Sequence, residues 1–127
     1  VNAWKTAVKL LPILSERLRE VHIFNKPAQE VIKTFNNKNT LIYADPPYLH
    51  ETRKSKDAYK CEMTTDQHVE LARILNSFQG KVILSGYPSP LYNRLYKNWN
   101  VATKKIANHS SQQKAKQMKT EVLWKNY

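Results

Sequence analysis

The 127-residue sequence predicts an α/β sandwich whose sheet is largely parallel and ends in an antiparallel hairpin. Three observations predict it. Apolar runs of strand length alternate with helical patterns from Val21 to Tyr96. The runs at Thr40–Ala44 and Lys81–Leu84 are apolar on both faces, as strands covered by helices on both sides must be. After Tyr96 the helical period stops, and two strand-like segments flank a polar, lysine-bearing stretch, the pattern of a long hairpin at a sheet edge.

The elements follow in order. Trp4, Ala7, Val8 and Leu11 share one helical face, and Ile13, Leu14 and Leu18 continue it. Pro12 interrupts the pattern, so either two short helices or one kinked helix is expected. Val21–Phe24 reads as a short strand and Asn25-Lys26 as a turn. Pro27 opens a helix running through Phe35, with Val31, Ile32 and Phe35 facing inward, and the Asn36–Asn39 loop ends it. Thr40–Ala44 is expected as a central strand, stopped by Asp45-Pro46-Pro47-Tyr48. From Leu49 to Cys61 neither period is visible, and the stretch reads as a loop. Thr64 and Gln67 have capping-box spacing before a helix that turns Leu71, Ile74, Leu75 and Phe78 to one side and ends near Gly80. Lys81–Leu84 is the next strand, Ser85–Pro88 a turn, and Ser89–Tyr96 a short helix. Asn100–Ala107 and Glu121–Asn126 are the hairpin strands.

Composition narrows the function classes. One domain of this size removes about two-thirds of its unfolded surface from water, so folding requires neither disulfides nor a structural metal. Cys61 is the lone cysteine, and His22, His50, His68 and His109 are dispersed without ligand spacing, so no metal is expected. Apolar runs such as Leu10–Leu14 fall far short of the roughly 20 residues that span a bilayer. The single thiol and the lack of a recognisable leader point to a cytoplasmic setting. Lys and Arg number 21 against 10 Asp and Glu, a net charge of +11. That surplus suits a polyanionic partner such as nucleic acid, and equally a merely soluble lysine-rich surface.

Ligands of open parallel sheets sit beyond the carboxyl ends of the strands. Three segments fall there: Phe24-Asn25-Lys26, Asp45-Pro46-Pro47-Tyr48 and Ser85-Gly86-Tyr87. The second has unusual chemistry. Two consecutive prolines fix φ and remove both backbone donors, leaving the Pro46 carbonyl to accept from something other than the sheet. The Asp45 carboxylate and that carbonyl form an acceptor pair for the two hydrogens of an exocyclic amine, and the Tyr48 ring offers a face for a planar base. An amino-purine or amino-pyrimidine fits this description.

Asp45-Pro46-Pro47-Tyr48 resembles the catalytic motif of the Dam-like class of adenine-specific DNA methyltransferases. The likeness extends to Tyr43-Ala44, Thr52-Arg53, Tyr59, Glu62-Met63 with His68, Ser85-Gly86-Tyr87, Leu91-Tyr92 and Glu121–Trp124, covering roughly residues 17 to 127. A chance occurrence of the four-residue motif in a chain this long is on the order of one in a thousand or rarer. The resemblance implies a Rossmann-like methyltransferase sandwich that transfers a methyl group from S-adenosylmethionine to the exocyclic N6 amine of adenine in DNA. It implies that Asp45, Pro46, Pro47 and Tyr48 are catalytic. The residues agree: an amine conjugated with a ring is a poor nucleophile, and two acceptors on its hydrogens localise its lone pair. Within a duplex the adenine must be flipped out, at a cost of a few kcal/mol, and held against Tyr48.

Further roles follow from the resemblance. Asn25 and Lys26, with Asp45, map to the border of the cofactor's adenine; a plain turn into a helix accounts for the first two equally. Arg53, Lys54, Lys56 and Tyr59 follow the motif as candidate DNA contacts, against an ordinary solvated loop. Lys114, Lys116 and Lys119 suit the DNA backbone or a solvated hairpin tip. A cognate restriction endonuclease is a partner that the resemblance allows. Trp4, Trp99 and Trp124 are expected in the core or at a subdomain contact.

The sequence also departs from that class. Its Phe-x-Gly-x-Gly cofactor turn is missing, the two glycines being Gly80 and Gly86. The expectation is therefore the carboxyl-terminal catalytic half of a methyltransferase domain, over residues 1 to 127, without the cofactor loop or most of the target-recognition region. Little transferase activity is expected from it alone. The rival readings are an amine methyltransferase acting on RNA, cytosine or protein glutamine, and a nucleic-acid-binding fragment without catalysis. Asp at the first motif position favours adenine, and a salt-dependent gel shift without cofactor binding would favour the fragment.

Overall fold

A computed structural model describes residues 2–52, 61–107 and 118–127. Four strands make one mixed sheet in the order β1-β2-β4-β3: β1 Leu41–Ala44, β2 Lys81–Gly86, β3 Asn100–Ala107 and β4 Met118–Lys125. β1 and β2 are parallel, with Ala44 opposite Leu84, and the connection between them carries α3, Thr65–Asn76. β3 and β4 form the expected hairpin, and β4 returns antiparallel to β2 with Trp124 opposite Leu84. Two of the three strand pairings are thus antiparallel, so the sheet is parallel at one edge only. Among the described residues no helix is long and apolar enough to cross a membrane.

Local chemistry accounts for the elements near the core. Gln67 N–H donates to Thr64 Oγ1 at 3.2 Å and Thr64 N–H to Gln67 Oε1 at 2.8 Å, so the capping box that opens α3 is complete. Ser89 Oγ accepts from Tyr92 N–H at 3.1 Å and starts α4, Pro90–Leu95, with proline at a position that needs no donor. The core lies where α3 and α4 pack on β2 and β4. Leu75, Val82 and Leu84 are fully buried there, each worth about 1.5–3 kcal/mol. Tyr92, Tyr96, Trp99 and Trp124 meet edge to face at 4.9–5.4 Å, from Tyr96–Trp99 to Tyr92–Tyr96. The Trp99 indole N–H is satisfied by Asn76 Oδ1 at 2.9 Å. Gly80, between α3 and β2, lies so close to the loop before β1 that a Cβ would run into the carbonyl oxygens of Thr40 and Asn37.

The amino-terminal third differs from expectation. α1 is one helix, Asn2–Leu18, continuous through Pro12, whose fixed φ is helical even though its missing N–H removes one bond. Every residue of α1 is exposed, and Trp4, 75% accessible, is not in the core, the first of the two places expected for it. Val21–Phe24 is not a strand, because no described strand pairs with it. Phe24 instead meets Phe35 edge-on at 5.8 Å, and Phe35 is exposed although Val31 and Ile32 of α2, Ala28–Thr34, are half-buried. With no strand among the described residues on that side, β1 is an edge and not the expected central strand; Leu41 and Tyr43 are 57% and 62% exposed. Smaller differences concern ends. β2 runs on through Ser85-Gly86, β4 starts at Met118, and a single 3-10 turn, His50–Thr52, opens the loop after Leu49.

Candidate active site

Asp45-Pro46-Pro47-Tyr48 begins directly where β1 ends. The β1–β2 register brings the carboxyl ends of the two strands level, so Asp45 stands beside Ser85. Ser85 is buried, and its Oγ lies 2.9 Å from Asp45 Oδ1 and 3.2 Å from the Ala44 carbonyl oxygen. Asp45 is exposed, Pro46, Pro47 and Tyr48 are half-buried, and Leu49 is buried in the core as the anchor of the segment. A carboxylate is thereby presented to solvent from a backbone secured on either side.

Two cavities flank the motif. The larger, about 850 Å³, has Asp45, Pro46 and Pro47 on one wall and Phe24, Lys26 and Met63 among its other lining residues. The smaller, about 480 Å³, is lined in part by Glu51, Thr52, Tyr87 and Lys119. Tyr48 bridges toward this second space, its ring meeting that of Tyr87 edge-on at 4.6 Å. The Lys119 ammonium stands 4.5 Å from the centre of the Tyr87 ring, a cation–π distance. Burial and then the negative charge of Glu121 push the Tyr87 hydroxyl above its ordinary pKa, so it is a neutral donor at physiological pH.

Of the residues singled out in the sequence, Lys26 and Asp45 line the same cavity with Pro46 and Pro47. Asn25 is not part of its lining, and Tyr48 lies on the Tyr87 side. Arg53, Lys54, Lys56, Tyr59, Lys114 and Lys116 fall outside the described residues. Sequence reasoning placed Ser85 and Tyr87 at a strand end where ligands bind but gave neither a role of its own. The signal available for them was position, since both stand at the carboxyl end of the strand that follows the motif strand. Glu62, Met63 and Gln67 also reach the larger cavity, through the amino-terminal approach to α3. Among the described residues no group of three or more His, Cys, Asp or Glu side chains is placed to hold a metal ion.

The arrangement offers a charged acceptor at the mouth of a large, mostly apolar cavity, an aromatic pair beside it, and a cation over the second ring. No curated protein matches the chain closely. A family model, D12 class N6 adenine-specific DNA methyltransferase, matches residues 2–118, nearly the whole of the sequence, and the chain belongs to that family.

Proposed function

We propose that this chain supplies the amine-binding half of an S-adenosylmethionine-dependent site for methyl transfer to the N6 amine of adenine in DNA. Membership of the family implies adenine N6 in DNA as the acceptor. The observation that carries the rest is the exposed Asp45 carboxylate, held by Ser85 and followed by two residues without backbone donors. Asp45 accepts one hydrogen of the adenine amine and the Pro46 carbonyl the other, which directs the nitrogen lone pair away from them. Tyr48 stacks on the base once it has left the duplex.

The larger cavity suits the cofactor. At about 850 Å³ it lies within the range of roughly 300–1,000 Å³ usual for small-molecule sites. Phe24, Ile42, Met63 and Leu71 give it an apolar side for an adenosyl group. Lys26, Asp45 and Glu62 give it charges of both signs for a zwitterionic amino acid and a sulfonium. When bound, the cofactor supplies an electrophilic methyl group on that sulfonium. The chain's own residues orient the amine. Residues 1–127 act as the Asp-Pro-Pro-Tyr-bearing, carboxyl-terminal half of the domain, a reading supported by the uncovered edge of β1 and the exposed apolar face of α1. A cognate restriction endonuclease fits the same reading.

Calorimetry with S-adenosylmethionine tests it, comparing the native chain with Asp45→Ala. The native chain is expected to bind, and the variant to bind at least about 10-fold more weakly, as loss of one interaction with a charged group predicts. No binding by the native chain would remove the cofactor from this cavity. Methyl incorporation by the chain alone into DNA free of N6-methyladenine would refute its assignment as half a site.

A further inference from the structure

We propose that the end of β2 braces the site, with Ser85 as the positioning residue for the Asp45 carboxylate and Tyr87 for the Tyr48 ring. The proposal rests on the reading of Asp45 as the acceptor of an amine hydrogen. It starts from a deficit that the motif itself creates. An aspartate at a strand end is ordinarily oriented by backbone N–H groups one to three residues ahead, as in Asx turns and helix caps. Here the next two residues are Pro46 and Pro47, which have no N–H. The nearest local donors are missing, and an exposed carboxylate without one samples several rotamers.

Ser85 supplies the donor from the neighbouring strand. It is only 6% exposed, so its single hydroxyl hydrogen must go to a protein acceptor. Two are in reach, and the charged one, Asp45 Oδ1 at 2.9 Å, is nearer than the Ala44 carbonyl at 3.2 Å. With Oδ1 engaged, the carboxylate has one orientation, and Oδ2 is left to meet the amine. Tyr87, one residue past the end of β2, meets Tyr48 edge-on at 4.6 Å. Gly86, between them, faces the opposite way, where a Cβ would come within 3.2 Å of Tyr92 and 3.3 Å of Trp124. The brace is therefore seated against Tyr92 and Trp124 of the core, and one strand pairing bridges a sequence separation of 40 residues.

Side-chain NMR couplings of Asp45 and binding of short oligonucleotides test the proposal on the whole chain. The probes are thymidine pentamers carrying one central adenine or, instead, one central purine without the 6-amine, both with S-adenosylhomocysteine in excess. In the native chain Asp45 is expected in a single χ1 rotamer and the adenine pentamer is preferred. Ser85→Ala should average the Asp45 couplings and lower the preference by about 5- to 10-fold, the loss expected when a charged acceptor loses its orienting hydrogen bond. Its affinity for the purine pentamer should not change, and Ser85→Thr should restore both readouts. Tyr87→Leu should weaken both pentamers alike, by about 5-fold, the loss of part of one base-stacking contact. A single Asp45 rotamer and an unchanged preference in Ser85→Ala would overturn the proposal, as would an altered preference in Tyr87→Leu with no loss of affinity. If the native chain shows no preference for adenine, the reading of Asp45 as amine acceptor fails, and the Asp45 couplings still decide whether Ser85 positions it.

Discussion

Replacing Asp45 by asparagine should do more damage than replacing it by alanine, although asparagine is the closer match in shape. The reason lies in the Ser85 hydroxyl, which stands 2.9 Å from Oδ1, nearer than its other acceptor, the Ala44 carbonyl at 3.2 Å, and so gives its hydrogen to residue 45. While Ser85 keeps its hydrogen on residue 45, an asparagine amide there turns its oxygen to Ser85, and its NH2 occupies the Oδ2 position, facing the adenine amine. Donor meets donor. In the native chain a charged acceptor contributes about 1.5 kcal/mol, the low end because Asp45 is exposed, and a neutral carbonyl about 0.7 kcal/mol. Together they predict a roughly 30-fold preference for the adenine pentamer over the purine pentamer, at about 1.4 kcal/mol per factor of ten. Asp45→Ala keeps the carbonyl alone and should retain about 3-fold. Asp45→Asn adds an unmet donor costing about 1 kcal/mol, so its preference should fall to unity or reverse. In the double variant with Ser85→Ala the amide is free to flip, and preference should rise above that of Asp45→Asn. Fluorescence anisotropy with labelled pentamers measures all four chains. An Asp45→Asn chain that prefers adenine more strongly than Asp45→Ala would refute the assignment of the Ser85 hydrogen to residue 45 over the Ala44 carbonyl.

Two further outcomes concern stability. Gly80→Ala should cost about 1–3 kcal/mol, because the new Cβ meets the backbone oxygens of Thr40 and Asn37, 2.6 Å away in the latter case, rather than a side chain that can swing aside; urea denaturation monitored by tryptophan fluorescence checks it, and an unchanged midpoint would contradict the close approach. Burial raises the pKa of Tyr92 and Tyr96 well above the ordinary 10, so both keep their protons in the folded chain after the unfolded chain has lost them. Stability is therefore fully present below about pH 10 and falls as pH rises beyond it, by about 1.4 kcal/mol per pH unit for each tyrosine, or about 2.7 for the pair. Tyr96→Phe should halve that slope, and stability that stays flat through this range would show that neither hydroxyl is buried as described.

The parts of the fold that were legible in the sequence are those decided by neighbours along the chain. Thr64 and Gln67 cap α3 across three residues, and Pro90 follows its Ser89 cap. What was misread depends on distant partners. Val21–Phe24 has strand composition, and composition does not make a strand without an edge to pair with. Leu41 and Tyr43 have the side chains of a covered strand, yet β1 is an edge and both are exposed. Trp4 is the same case in a helix: an apolar face records what a side chain would bury against, not whether a described element lies there.

The site divides along the same line, and the division explains why a four-residue motif can mark a function without describing its machinery. Pro46 and Pro47 act through their own missing donors, a property any reader of the sequence can see. Those missing donors also deprive Asp45 of its two nearest local partners, and a hydroxyl from elsewhere in the chain stands at its Oδ1 instead. The parallel pairing of β1 with β2, fixed by Ala44 opposite Leu84, decides that it is Ser85. A one-residue slip in that register would turn Ser85 to the other face and bring Leu84 or Gly86 against the carboxylate, neither of which can donate from a side chain. The motif therefore depends on a register 40 residues away, and residues that look like the end of an ordinary strand are part of the chemistry.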